Sequence, residues 1–185
     1  MTTLPDTSLP ITTPAGSFVA HYSAHGLAAL DFPTAKSKTR KQKQAGTVPP
    51  IPAMVRRWHT LTTKALKATL AGKTPTELPP LDVSIGTEFQ QRVWEELLWI
   101  PHGESRSYAE IAKTIRRPKA VRAVGGACGA NPIPLLIPCH RVLAAHGKIG
   151  GYSGGMEWKR KLLSLEGTFE EDVFAAAKPV KAKGK

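Results

Sequence analysis

Three prolines fall within seven residues of one apolar run, Asn131-Pro132-Ile133-Pro134-Leu135-Leu136-Ile137-Pro138-Cys139-His140-Arg141-Val142. Each proline fixes φ and removes a backbone donor, so the stretch can be neither a regular helix nor a central strand. A stiff, apolar segment is poorly suited to a solvated loop. It is well suited to a rigid wall that presents the side chain at its end. That side chain is Cys139, and His140 and Arg141 follow it directly.

A free thiol has a pKa of about 8.5, so it needs a base or a positive field to act as a nucleophile at neutral pH. His140 is a candidate base and Arg141 adds positive potential. Neighbouring side chains often point apart, so a bridging water is one way to link Cys139 to His140. The residues alone leave two readings open, a reactive nucleophile and a small packed hydrophobe. The only other cysteine is Cys128. Two thiols are too few for a cysteine-rich zinc module, and in an intracellular chain they are expected to be reduced.

Lys and Arg number 26 against 14 Asp and Glu in 185 residues, a formal charge of +12. Such an excess favours a polyanionic partner, which points to nucleic acid, an anionic membrane surface or an acidic protein. No apolar run approaches the roughly twenty residues that span a bilayer. Met1–Pro10 has no basic stretch leading into an apolar one, which predicts no secretory signal. The expectation is a soluble protein of the cytoplasm, or of the nucleus if the source is eukaryotic.

Residues 1–16 are rich in Thr and Pro and read as a loose leader. Ser17–Tyr22 and Leu27–Phe32 read as strands joined by the turn Ser23-Ala24-His25-Gly26. Residues 33–50 read as an exposed basic loop. Met54, Trp58, Leu61, Ala65 and Ala68 recur at helical spacing, and Leu81, Val83 and Ile85 alternate as in a short strand. An α/β N-terminal domain over 1–86, a small antiparallel sheet with a helix, follows from this pattern.

From residue 87 the pattern becomes helical. Phe89, Val93, Leu97 and Ile100 share a face of a helix closed by Pro101 and Gly103. Ser107 and Glu110 form a capping box opening a helix with Tyr108, Ile111, Ala112 and Ile115 on one side. Arg116 and Arg117 make a tight turn, and Pro118 suits the first position of a helix carrying Val121, Val124 and Cys128. Two short helices across such a turn match a helix-turn-helix, although a core-only helix pair has the same pattern. Residues 87–170 are therefore expected to form an α-rich winged helix-turn-helix domain, followed by a basic tail over 171–185.

The segment Ile137-Pro138-Cys139-His140-Arg141-Val142 resembles the active-site signature of the O6-alkylguanine-DNA alkyltransferases, also called methylated-DNA–protein-cysteine methyltransferases. The resemblance runs from about Phe89 to Gly167. It includes Ser107-Tyr108-Ala109-Glu110-Ile111-Ala112, Arg122-Ala123-Val124-Gly125-Gly126-Ala127, Asn131-Pro132, Gly151-Tyr152-Ser153-Gly154-Gly155 and Leu162–Gly167. Residues 1–86 resemble that family's N-terminal domain only in size and coarse layout.

The resemblance implies direct, irreversible transfer of an alkyl group from O6-alkylguanine in DNA to Cys139, after the nucleotide is flipped out of the stack. O4-alkylthymine in DNA is the second candidate substrate. His140 and Glu166 match a relay reached from Cys139 through a water. Tyr108 and Lys159 match the pocket tyrosine and the lysine near the thiol. The backbones of Cys139, Val142 and Ser153 match contacts to guanine, Tyr152 belongs to the pocket, and Asn131 matches the turn beside the cysteine. Arg122 matches the residue that replaces the extruded base. Gln90, Arg117 and the Ala145 backbone match further DNA contacts. No cofactor is implied. The implied partner is double-stranded DNA, met through its minor groove by a monomer, with no membrane.

Two branches of the family help to bound the reading. Some relatives carry an N-terminal zinc site built from Cys and His; no cysteine precedes Cys128 here, and His21 with His25 is a poor substitute. Another branch has Trp in place of the cysteine and only binds lesions, and the presence of Cys139 argues against that branch. A non-catalytic lesion sensor is the alternative function. A Cys/His hydrolase is disfavoured because nothing marks an oxyanion hole or a peptide cleft.

Overall fold

The computed structural model describes residues 7–33 and 50–168. Most of the expected basic loop, the basic tail and the first six residues lie outside the described residues. Three antiparallel strands come first: β1 (Thr7–Thr13), β2 (Gly16–Tyr22) and β3 (Leu27–Asp31), paired in the order β1-β2-β3. Helix α1 (Ala53–Leu70) packs on β1 and β2. Then come α2 (Glu88–Leu98), the two-residue strand β4 (Arg106–Ser107), α3 (Tyr108–Thr114), α4 (Val121–Gly129), the two-residue strand β5 (Val142–Leu143) and α5 (Met156–Leu165). β4 and β5 pair in parallel. No helix among the described residues is long and apolar enough to cross a membrane.

The leader reading fails over Thr7–Thr13, which is a full strand in register with Gly16–Tyr22. Pro10 gives the segment the look of a linker, but β1 is an edge strand, where a missing N–H costs nothing on the open side. Its Thr residues favour extended backbone, and Ile11 is buried, which contributes about 2 kcal/mol. The Ser17–Tyr22 and Leu27–Phe32 strands stand within a residue of their expected ends. Between them Ser23 N–H donates to Gly26 O at 3.0 Å.

Helix α1 forms as expected but is rotated by about one residue. Val55, Trp58, Thr62, Ala65, Leu66 and Thr69 face inward, whereas Met54 is exposed and Ala68 only half-buried. The buried threonines are tolerated because Thr62 and Thr69 hydroxyls donate to Trp58 O and Ala65 O, at 2.8 and 3.1 Å. The Thr62 hydroxyl also accepts a hydrogen bond from the Tyr22 hydroxyl at 3.0 Å. The alternation of Leu81, Val83 and Ile85 does not make a strand. Leu81 forms a single bridge with Leu27, Asp82 folds back to accept from Ser84 N–H, and Ile85 is 85 % exposed.

Two helices of the second half open on capping boxes. Thr87 caps α2 in a box with Gln90, and Ser107 caps α3 in the expected box with Glu110. Such a cap stabilises a helix start by about 1 kcal/mol. Between α3 and α4, Arg116 adopts a positive φ of 57° and Arg117 N–H returns to Ala112 O at 2.8 Å. Pro118 is not the first helical residue. It sits in a turn closed by Ala120 N–H to Arg117 O, and α4 begins at Val121. The helix-turn-helix thus stands, with its turn longer than its sequence suggests.

One buried apolar cluster runs from Ile11 and Phe18 in the sheet, through Trp94 and Leu97 of α2, to Ile133, Ile137 and Leu162. Backbone bonds cross it: Leu27 N–H donates to Pro80 O at 2.8 Å and Leu30 N–H to Pro132 O at 2.9 Å. The Trp94 indole N–H donates to Ala127 O at 2.8 Å, fixing α2 against α4. The sheet therefore packs directly behind the proline-rich segment.

Candidate active site

The segment from Asn131 to Val142 is the stiff wall its prolines predict. Ile137 N–H donates to Ile133 O at 2.9 Å, Cys139 N–H to Ile137 O at 2.8 Å, and Cys139–Arg141 form a single 3-10 turn. Leu135 is held at φ 71°, a left-handed conformation that costs about 1–2 kcal/mol for an L residue. The wall can hold it because Ile133, Leu135, Leu136 and Ile137 are all buried. Asn131 closes the loop. Its side-chain oxygen accepts from Ile133 N–H at 3.0 Å, and its Nδ2 donates to Ile137 O at 2.9 Å and to the Cys139 Sγ at 3.1 Å.

Cys139 is only 3 % exposed. Burial pushes its thiol up from the ordinary value, and the Asn131 bond and the Lys159 charge offset this only in part. The resting group is therefore the thiol. Arg141, expected to add positive potential at the thiol, is instead tied to Glu166 and to the backbone at Ile100. Its Nε and Nη2 donate to Glu166 Oε2 and Oε1, both at 2.9 Å, and its Nη1 donates to Ile100 O at 2.6 Å. The positive charge near the sulfur comes from Lys159, which is fully buried and donates to Val142 O at 2.6 Å. Burial brings the Lys159 ammonium down to about 8, although the two thiols pull the other way.

His140 and Glu166 meet as expected, with Nε2 to Oε1 at 2.9 Å. Burial alone would raise the Glu166 carboxyl, but hydrogen bonds from His140 and Arg141 and their charges hold it at about 2. Glu166 is thus an acceptor only, so the Nε2 of His140 carries the proton. Burial also lowers the His140 pKa, against the pull of Glu166, which keeps the ring neutral. Its buried Nδ1 is then a free acceptor with no protein partner among the described residues. Lys159 and Glu166, seven apart on and just beyond α5, point to one site as their spacing predicts.

In front of the sulfur lies a cavity of about 530 Å³. Of the residues singled out in the sequence, Tyr108, Arg122, Cys139, Tyr152 and Ser153 line it. Asn131, His140, Val142, Lys159 and Glu166 instead surround the cysteine through the contacts above. Burial raises the Tyr108 pKa, with Cys128 and Cys139 adding to this, so its hydroxyl remains a donor. Arg122 is exposed at the start of α4, where Gly125 leaves the cavity open. The carbonyls of Cys139 and Val142 already accept from Val142 N–H and from Lys159, and each retains a second lone pair.

Three residues lie away from this cavity. The Gln90 side-chain oxygen caps α2 by accepting Thr87 N–H at 2.8 Å. Arg117 lines a separate cleft with Phe89 and Arg92, and Ala145 is exposed beyond β5. His21 is engaged with Ser8 and Asp31 across the sheet, at 2.8 and 2.9 Å. Sequence reasoning missed Cys128 and Val121 as cavity residues, because it assigned both to a core face. The small Gly125 and Gly129 on the same helix were the available signal that this face is open.

The model of the 6-O-methylguanine DNA methyltransferase DNA-binding domain matches residues 88–168. A methylated-DNA–protein-cysteine methyltransferase of Mycobacterium tuberculosis is 58 % identical over 93 residues, which cover 49 % of this chain and 56 % of that protein. The matched stretch thus spans little more than half of that relative. A protein of the same name from Methanosarcina acetivorans is 51 % identical over 108 residues, 57 % of this chain and 67 % of the relative. The crystal structure of Mycobacterium tuberculosis OGT in complex with DNA superposes with a TM-score of 0.67 at 40 % identity, covering 89 % of this chain and 95 % of that one. The O6-methylguanine-DNA methyltransferase of Pyrococcus kodakaraensis gives 0.56 at 26 % identity, over 86 % and 98 %.

Proposed function

This chain belongs to the 6-O-methylguanine DNA methyltransferase family, and from that premise we propose that it repairs DNA by moving an alkyl group from O6-alkylguanine onto Cys139. One observation carries the reading above all: a buried thiol faces an open cavity of about 530 Å³, backed by a neutral imidazole with a free Nδ1 and an ionised carboxylate.

The chemistry follows from these positions. The Cys139 sulfur attacks the alkyl carbon in line, forming the S–C bond as the C–O6 bond breaks. The thiol proton passes, through a bridging water, to His140 Nδ1, and Glu166 stabilises the imidazolium that results. Guanine leaves as an anion unless donors meet it; Tyr108 and Ser153 both line the cavity, and the Tyr108 hydroxyl and the Ser153 N–H are assigned that role. Lys159 stabilises negative charge as it develops on sulfur. The product is a thioether, so each molecule acts once and no cofactor is consumed.

The helix-turn-helix supports minor-groove docking of α4 on duplex DNA, with Arg122 filling the gap left by the flipped nucleotide. The small residues Ala123, Gly125, Gly126 and Gly129 permit that close approach. Gln90, Arg117 and the Ala145 backbone are assigned to the flanking strand. The unit over 87–170 carries the reaction, the unit over 1–86 supports it, and the protein acts as a monomer.

Incubation with duplex DNA bearing O6-methylguanine, followed by peptide mass spectrometry, tests the reading. A methyl mass on the Cys139 peptide, absent from Cys139→Ala, is expected. Binding of methylated duplex without any adduct would instead identify a lesion sensor.

A further inference from the structure

We infer that Phe32, immediately after β3, is a positioning residue for the alkyl-transfer pocket, through which the N-terminal sheet sets the place of the Tyr152–Gly155 turn. The inference rests on the alkyl-transfer reading of Cys139.

The Phe32 ring lies in a cluster of four aromatic rings. Its centroid is 5.9 Å from Tyr152, nearly perpendicular to it at 77°, 5.2 Å from Trp158 and 5.9 Å from Phe18. Phe18 is fully buried and itself stands 5.6 Å from Trp158, so Phe32 has little room to retreat. The turn lies directly on this ring. A Cβ added at Gly154 would stand 2.5 Å from two of the Phe32 ring carbons, well inside contact distance. Gly154 does not have the positive φ of its neighbour Gly155, so the close approach of Phe32, not the backbone conformation, excludes a side chain there.

A second tether lies two residues earlier, where Leu30 N–H donates to Pro132 O at 2.9 Å. The end of β3 therefore touches both sides of the pocket: the proline wall that carries Cys139, and the turn that carries Ser153. Tyr152 extends the contact toward the base, its ring 6.5 Å from that of His140. Moving Phe32 would shift Ser153 relative to Cys139, and a misplacement of about 1 Å can cost about a hundredfold in rate.

Two reactions of the same sulfur separate positioning from general stability. Transfer from free O6-benzylguanine needs the Ser153 turn, whereas alkylation by iodoacetamide recognises no guanine; both are followed on the Cys139 peptide by mass. Phe32→Ala is expected to slow benzyl transfer at least about tenfold while changing the iodoacetamide rate by less than about threefold, with Phe32→Leu between parent and Ala. Gly154→Ala is expected to slow transfer at least about tenfold in the parent, yet less than about threefold once Phe32→Ala has removed the clash.

Equal loss of both reactions, a change confined to Tm, or losses that simply multiply in the double variant would overturn the assignment. If either Ala variant fails to fold, the ratio of the two rates in Phe32→Leu decides the matter. If the parent protein takes the methyl group of O6-methylguanine but not the benzyl group, the same comparison of rates is made with free O6-methylguanine; failure to take either group would count against the alkyl-transfer reading itself, not against Phe32.

Discussion

Replacing Glu166 by Gln keeps the shape of the side chain and removes its charge. In the folded protein this carboxylate accepts from His140 and twice from Arg141, all at 2.9 Å, and lies almost out of contact with solvent. Its pKa falls from 4.5 to about 2. At about 1.4 kcal/mol per pH unit, that gap corresponds to about 3 kcal/mol of folding stability at neutral pH. Because the folded value is depressed, the contribution is complete above the ordinary carboxyl range and fades as pH falls toward 2.

Urea unfolding of parent and Glu166→Gln is therefore expected to differ by about 3 kcal/mol at pH 7 and by about 2 kcal/mol near pH 3.5. The neutral-pH loss agrees with the cost of leaving one member of a buried ion pair alone, about 3–5 kcal/mol. Equal stability at pH 7, or a difference that stays constant in acid, would refute the account of this cluster. Transfer should slow as well, by about a hundredfold, since an amide no longer dictates which His140 nitrogen holds the proton.

Arg122→Ala should retain the parent rate toward free alkylguanine and lose about tenfold or more on duplex DNA; single-turnover kinetics with the two substrates checks this, and equal losses on both would contradict a flipping role. Lys159→Met should slow transfer about tenfold, yet be no less stable at pH 7. The depressed Lys159 pKa means that the ammonium penalises folding below about pH 8 and that this penalty fades as pH rises toward 10.5. Loss of the bond to Val142 O offsets part of the gain, leaving a net increase of up to about 2 kcal/mol, and a Tm below that of the parent would count against it.

Local chemistry was the most legible part of the sequence. The Ser107–Glu110 cap, the proline wall and the joint facing of Lys159 and Glu166 all depend on residues within a few positions of one another. Long-range partners decided the rest. Pro10 reads as a breaker until β2 supplies the other side of its strand. The inward turn of Thr62 depends on Tyr22, forty residues away. Arg141 looks like part of the thiol's surroundings, yet its partners are Glu166 and the carbonyl of Ile100, just past α2. Phe32 reads as the last residue of a strand, and nothing near it in the chain reveals that Gly154 rests on its ring.

The left-handed Leu135 and the prolines around it imply a division of labour in time. Rotational freedom that a flexible loop would surrender on meeting its target is surrendered here while the chain folds. The recess around the sulfur therefore exists before any duplex arrives. On the alkyl-transfer reading proposed above, favourable contacts made on docking remain available for unstacking and turning a nucleotide, which makes distortion of the nucleic acid, and not rearrangement of the protein, the slow conformational event to look for.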